Sequence, residues 1–153
     1  MPSAWTQLHC HLVWSTKHRR PLIDAELEPR LHAFLGGIVR DLECTPIEIG
    51  GVADHVHLLV RVRADLTVSD LVRHAKSRSS KWVHESFPDR ALFAWQAGYG
   101  AFSVSNSMTE KVVKYIQRQR KHHESVSFES EFLFLLEKHG MNPDSALVFQ
   151  DEG

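Results

Sequence analysis

The chain has 153 residues, 42% hydrophobic and 24% charged, which is enough for one domain with its own core and too apolar for a disordered chain. No apolar run approaches a membrane span and the N-terminus lacks a secretory layout. Cys10 and Cys44 are too few for a disulfide scaffold or a structural zinc site, so a reduced, cytoplasmic protein is expected. The net charge of −1 is unevenly spread: residues 1–60 hold 5 Lys/Arg against 7 Asp/Glu, residues 61–123 hold 12 against 5, and residues 124–153 hold 1 against 7. A basic centre of this kind suits either a locally bound anion or a solvated charged face.

In chain order, "WTQLHCHLVWST" (5–16) is rich in β-formers and predicts a first strand, followed by the basic turn "KHRRP". Leu27, Leu31, Phe34, Leu35, Ile38 and Leu42 then recur at helical spacing behind Asp24, a candidate N-cap. "TPIEIGGV" (45–52) and "HVHLLVRVR" (55–63) predict the second and third strands. "TVSDLVRHAKSRSSKWV" (67–83) opens with a capping box from Thr67 to Asp70, and Leu71, Ala75, Ser79 and Trp82 form its inward stripe. Its other face, Arg73, Lys76, Ser77, Ser80 and Lys81, is small, polar and cationic, suited to a phosphate backbone or simply to water.

"LFAWQAGYGAFSVS" (92–105) predicts a hairpin turned around Gly98-Tyr99-Gly100. A second capping box, Ser107 to Glu110, predicts a helix to about Lys121, and "SFESEFLFLLEKHG" (127–140) a last one stopped by Gly140. The order predicts an α+β fold, a ferredoxin-like sandwich with a central antiparallel sheet, helices on one face and an extra C-terminal helix. A single domain over 1–153 is expected, with a core of about 5–123 and an acidic helical tail at 124–153.

Residues i and i+2 of a strand share a face, so His55 and His57 present two imidazoles side by side. They either chelate an ion or are satisfied by hydrogen bonds. Asp54 falls on the other face or in the preceding turn. His9 and His11 repeat the pattern on the neighbouring strand, as a supporting shell or DNA contact or, the preferred reading, as strand-face histidines with backbone partners. Tyr115 and Gln119 are four apart on a helix, beside apolar Val112 and Ile116, and therefore face inward together. A glutamine carbonyl can be a third metal ligand, and a phenol one turn away would sit beside whatever that metal polarises. His122 and His123 are alternative ligands if the helix bends.

"DHVHLLV", "GYGAFSVS" and "VVKYIQRQ" together resemble the single-tyrosine transposases of the HUH (His-hydrophobic-His) superfamily, which mobilise small insertion sequences as single-stranded DNA. The resemblance runs from about "HLVWSTKHRRP" to "YIQRQRKHH" and leaves the acidic tail outside. It implies that His55, His57 and Gln119 hold a divalent ion, Mg²⁺ or Mn²⁺. It also implies that Tyr115 attacks a phosphodiester, leaving a 5′-phosphotyrosine and a free 3′-hydroxyl that can later rejoin strands. It further implies a homodimer in which the tyrosine helix of one subunit can complete the site of the other, and a substrate of single-stranded DNA with subterminal hairpins. Lys17, Arg19, Arg20, Arg73, Lys76, Arg78 and Lys81 are the expected phosphate contacts, with Trp82 and Trp95 as base-stacking candidates that are more readily read as core. Tyr99, in its glycine turn, is assigned a structural or DNA-facing place. The competing readings are a domesticated hairpin DNA- or RNA-binding protein without strand transfer, and an unrelated His-x-His metal hydrolase.

Overall fold

The period-two segments pair into one four-stranded antiparallel sheet of order β2-β3-β1-β4. It comprises β1 (Leu8–Ser15), β2 (Thr45–Val52), β3 (His55–Val62) and β4 (Gly100–Val104). The computed structural model describes residues 4–142; the remainder of the acidic tail lies outside them. Helix α1 (Leu27–Asp41) joins β1 to β2, and α2 (Val68–Ser86) joins β3 to β4. This is the ferredoxin-like order expected.

Alternation along the strands sends Leu12, Trp14, Val56, Leu58 and Val60 to one face, where they pack with Leu27, Leu31 and Leu35 of α1 and Leu71, Val72 and Ala75 of α2. Burying a Leu completely contributes about 1.5–3 kcal/mol, so this face carries much of the stability. The opposite face holds Val13 and Phe102, and the C-terminal helices α3 (Thr109–Gln117), α4 (Gln119–His122) and α5 (Phe128–Lys138) lie over it. The two ferredoxin-type helices thus share one face, as predicted, while the added C-terminal helices close the other.

Local chemistry explains the helix ends. Asp24 Oδ1 accepts from Leu27 N at 2.9 Å, and Thr67 Oγ1 accepts from Asp70 N at 3.1 Å. Such caps are worth about 1 kcal/mol each. Ser127 caps α5 in the same way, accepting from Ser130 N.

Three expectations are corrected. The segment 92–105 is not a hairpin, because only its second arm becomes a strand and the first touches the sheet at a single bridge, Trp95 to Thr16. The backbone of that arm bonds elsewhere: Lys76 Nζ donates to the carbonyls of Gln96 (2.9 Å) and Gly98 (2.6 Å). Ser107 does not cap a helix; its hydroxyl meets Ser105, and α3 starts at Thr109 behind a short 3-10 turn. The helix expected through Lys121 breaks at Arg118 (φ −95°, ψ 13°), which separates α3 from α4.

Candidate active site

A two-residue turn, Ala53-Asp54, links β2 to β3, and the register pairs Ser15 with His55 and Val13 with His57. Both imidazoles are fully buried on the sheet face under α3–α5. Each ring is gripped at Nδ1. His55 Nδ1 donates to Asp54 Oδ1 at 2.7 Å, so the turn places Asp54 where it orients its neighbour. His57 Nδ1 lies 2.8 Å from His11 Nε2, an imidazole of the adjacent strand. The expectation of a backbone partner for His11 gives way to a supporting contact. With both Nδ1 atoms engaged, both Nε2 atoms face the same space between sheet and helices.

Helices α3 and α4 fill that space. Despite the break at Arg118, Tyr115 and Gln119 both reach the histidines: the Tyr115 ring centroid is 5.7 Å from that of His57, and His55 Nε2 donates to Gln119 Oε1 at 2.9 Å. Close docking depends on Gly50 of β2. A Cβ there would stand 2.7 Å from Ile116 Cγ2 and 2.8 Å from the Ile116 carbonyl oxygen. No side chain fits under this turn of α3.

A residue unremarked in the sequence completes the cluster. Glu131 of α5 is 1% exposed and touches His55, His57, Tyr115 and Gln119 alike. Its Oε1 lies 3.1 Å from His57 Nε2, 3.3 Å from His55 Nε2 and 3.1 Å from His123 Nε2. Its Oε2 accepts from the Tyr115 hydroxyl and, at 2.9 Å, from Gln119 Nε2. The signal in the sequence was its place in the buried stripe Phe128-Glu131-Leu135 of an otherwise acidic-faced helix.

The electrostatics follow. Burial disfavours ionisation of Glu131, but hydrogen bonds from His123, His55 and His57 outweigh it and hold the carboxyl far below its ordinary range. For His55 burial is again outweighed, by hydrogen bonds to Asp54 and Glu131, and its pKa rises to about 9. Burial dominates at His57, which falls to about 4, and at His11, which lies well below the ordinary value. Burial and then the Glu131 charge push the Tyr115 phenol above its ordinary pKa, so an anion beside it opposes its ionisation.

Donor chemistry fits a divalent cation. His55, His57 and Glu131 place ligand atoms within 4.8 Å of one another, as do His122, His123 and Glu131. An imidazole whose far nitrogen is fixed by a carboxylate, as Asp54 fixes His55, is the usual supported form of metal-ligating histidine.

The expected phosphate contacts divide. Arg73, Lys76, Arg78 and Lys81 belong to α2, on the sheet face opposite the histidines. Arg73 and Lys76, with Trp95 and Tyr99, line a groove of about 510 Å³. Trp95 donates to Ser79 Oγ there (2.9 Å), and Trp82 packs on Phe34. Arg78 is paired with Asp41 (2.6 Å), Arg73 with Asp70 (3.2 Å), and Lys81 stands 3.9 Å from Glu85. Lys17 and Arg19 form a short 3-10 turn, exposed Arg20 follows it, and Arg19 pairs with Glu129 at 3.3 Å. Sequence reasoning passed over a nearer set: Lys111, Lys114, Arg118 and Lys121 line a groove of about 690 Å³ with Tyr115 in its wall. Among the described residues no helix is long and apolar enough to cross a membrane.

A sheet-borne histidine pair facing a helical tyrosine and glutamine defines the class of site found in HUH-type proteins. Residues 4–119 match the family model described as "Transposase IS200 like", and the chain belongs to this family of transposases. It is 27% identical over 118 residues to the ISDra2 transposase TnpA of Deinococcus radiodurans, covering 74% of this chain and 84% of that protein. It is 28% identical over 123 residues to the IS200 transposase of Salmonella typhimurium, covering 76% and 80%. Among solved structures, a candidate transposase from Deinococcus radiodurans superimposes with a TM-score of 0.63 at 23% identity, over 78% of this chain and 95% of that one. A REP-associated tyrosine transposase solved with a REP hairpin gives 0.60 at 16% identity, over 82% and 74%. These two likenesses establish the fold.

Proposed function

We propose that the protein cleaves and rejoins single-stranded DNA at insertion-sequence ends with Tyr115 as nucleophile and His55, His57 and Gln119 as ligands of Mg²⁺ or Mn²⁺. The observation that carries this reading is the convergence of those four side chains, from β3, α3 and α4, on one buried space. Imidazole ligands favour Mn²⁺ over Mg²⁺ intrinsically.

The Tyr115 hydroxyl gives up its proton to solvent as its oxygen attacks the scissile phosphorus, the bond to the 3′-oxygen breaks, and that oxygen departs and takes up a proton, so none is consumed overall. The strand is left as a 5′-phosphotyrosine with a free 3′-hydroxyl. A later 3′-hydroxyl attacks the same phosphorus and expels Tyr115, so no external energy source is required. The divalent ion, when bound, withdraws charge from the phosphate and stabilises the transition state. Asp54 and His11 keep the two imidazoles aimed. Lys111, Lys114, Arg118 and Lys121 offset the charge of a strand lying along Tyr115.

Hairpin DNA is the proposed substrate, supported by the solved relative that holds a REP hairpin and by the cationic, aromatic groove beside α2. Stems would be held there through phosphates and unpaired bases stacked on Tyr99. A homodimer is also part of the reading. Exchange of the tyrosine helix between subunits would part α3 from Gly50, against which Ile116 packs.

The test uses single-stranded oligonucleotides copied from both strands of the gene's flanks, incubated with protein and Mn²⁺ or Mg²⁺. A protease-sensitive adduct on a denaturing gel, lost with Tyr115→Phe and with EDTA, is the expected result. Metal-dependent cleavage that survives in Tyr115→Phe identifies a hydrolase instead. Tight hairpin binding without an adduct identifies a domesticated binding protein.

A further inference from the structure

Glu131 has no part in the reaction as set out above, yet it is the most connected side chain of the site. Its two oxygens do different things. Oε2 meets the tyrosine hydroxyl and the glutamine amide, with His122 Nε2 farther off at 3.5 Å, whereas Oε1 faces only imidazole nitrogens, those of His55, His57 and His123 at 3.1–3.3 Å. Ligand atoms bonded to an octahedral ion at about 2.0–2.1 Å stand about 3 Å apart, so these spacings suit neighbouring ligands of a shared cation. Charge points the same way. Two neutral imidazoles and an amide bring no negative charge to a buried divalent ion, and a single carboxylate supplies it. A buried carboxylate of this kind is otherwise a costly thing to keep.

We propose that Glu131 is a further protein ligand of the divalent ion, making the site His55, His57, Gln119 and Glu131, with α5 as the element that delivers the fourth ligand. The proposal rests on the metal reading given above and adds to it a residue beyond the segment that matches the family, which ends at residue 119. It has a second consequence. The carboxylate that ligates the ion is the one that holds the Tyr115 hydroxyl, so ion binding draws negative charge away from the nucleophile. Metal occupancy and the readiness of Tyr115 are thereby coupled through one side chain.

The experiment measures Mn²⁺ binding by calorimetry, with MnCl₂ as the probe and the full chain as the protein, in wild type, Glu131→Gln and His57→Asn. Glutamine preserves the shape, and circular dichroism reports whether the fold is kept. The expected result is about one Mn²⁺ per wild-type chain, weakened about ten-fold or more by either substitution. If His57→Asn weakens binding and Glu131→Gln binds as wild type does, the Glu131 proposal is overturned while the metal reading stands. Absence of Mn²⁺ binding by wild type overturns both. Crystals of the unmodified protein grown with MnCl₂ give a test that no folding defect can obscure. An anomalous peak within bonding distance of a Glu131 oxygen and both histidines supports the proposal, and an ion on the histidines with Glu131 turned away overturns it.

Discussion

His11 and His57 meet across neighbouring strands, Nε2 to Nδ1 at 2.8 Å, with their rings stacked 5.0 Å apart. The contact fixes the orientation of His57 without touching the space where its Nε2 acts. Supporting partners of metal-bound histidines typically change affinity by about 10–100-fold when removed. His11→Phe should therefore weaken Mn²⁺ binding within that range while the protein keeps its fold, as calorimetry and circular dichroism would report. Unchanged affinity would mean that His57 is aimed by its strand alone.

Tyr115→Phe removes one oxygen and should abolish adduct formation entirely. Hairpin binding in a gel-shift assay should remain, because the cationic groove on the α2 side is untouched. Parallel loss of binding would place Tyr115 in recognition rather than chemistry.

Two glycines provide a paired test of helix docking. Gly50→Ala drives a methyl to 2.7 Å from Ile116, whereas at Gly37 of α1 nothing lies within 4 Å of the added carbon. Overpacking of the first kind costs about 1–3 kcal/mol. The second should stabilise the protein by about 0.4–1 kcal/mol. Adduct yield under native conditions should fall sharply for Gly50→Ala and stay unchanged for Gly37→Ala, with thermal unfolding monitored alongside.

Stability in EDTA should peak near pH 6.5. His57 has its folded pKa lowered to about 4, so between there and its unfolded value near 6.5 the unfolded chain binds the extra proton and stability drops as pH falls. His55 runs the other way: its folded pKa is raised to about 9, and its contribution is complete below about 6.5 and is lost as pH rises through 9. Mn²⁺ bound at His55 would replace its proton and should flatten the alkaline limb. Melting temperatures measured across pH, with EDTA and with Mn²⁺, check both limbs.

Cations of α2 should separate by role. Lys76 staples the Gln96–Gly98 loop through carbonyl bonds, and burial lowers its pKa to about 8. Lys76→Met removes the donor from those partly exposed carbonyls, at about 0.5–1.5 kcal/mol. Arg73→Ala and Lys81→Ala should leave the melting temperature alone and each reduce the salt dependence of hairpin binding by about one unit of slope. Salt titrations monitored by fluorescence anisotropy distinguish the two behaviours.

The sheet, its order and the paired histidines were legible because alternation and the β-α-β-β-α-β order leave few topologies. The tyrosine and glutamine were legible from their spacing and the apolar residues beside them, even though the helix bearing them breaks at Arg118, where the sequence has no Gly or Pro to announce it. Other features depended on contacts between distant segments. The arm at 92–99 has strand-forming residues, but Lys76 claims its carbonyls. The role of His11 depends on register, which brings it diagonal to His57. Glu131 was hidden by its company, since a glutamate in an acidic helix reads as solvated until the inward stripe is traced through it.

Glu131 stands twelve residues beyond Gln119, on a helix that shares no strand or turn with the histidines. An acid supplied this way can be acquired, lost or exchanged by changes in the tail alone, with the sheet inherited intact. Two relatives alike over the matched segment, yet ending in different tails, would share a nucleophile and differ in their appetite for metal. Truncating such a chain at the edge of the matched segment would remake the chemistry at its centre.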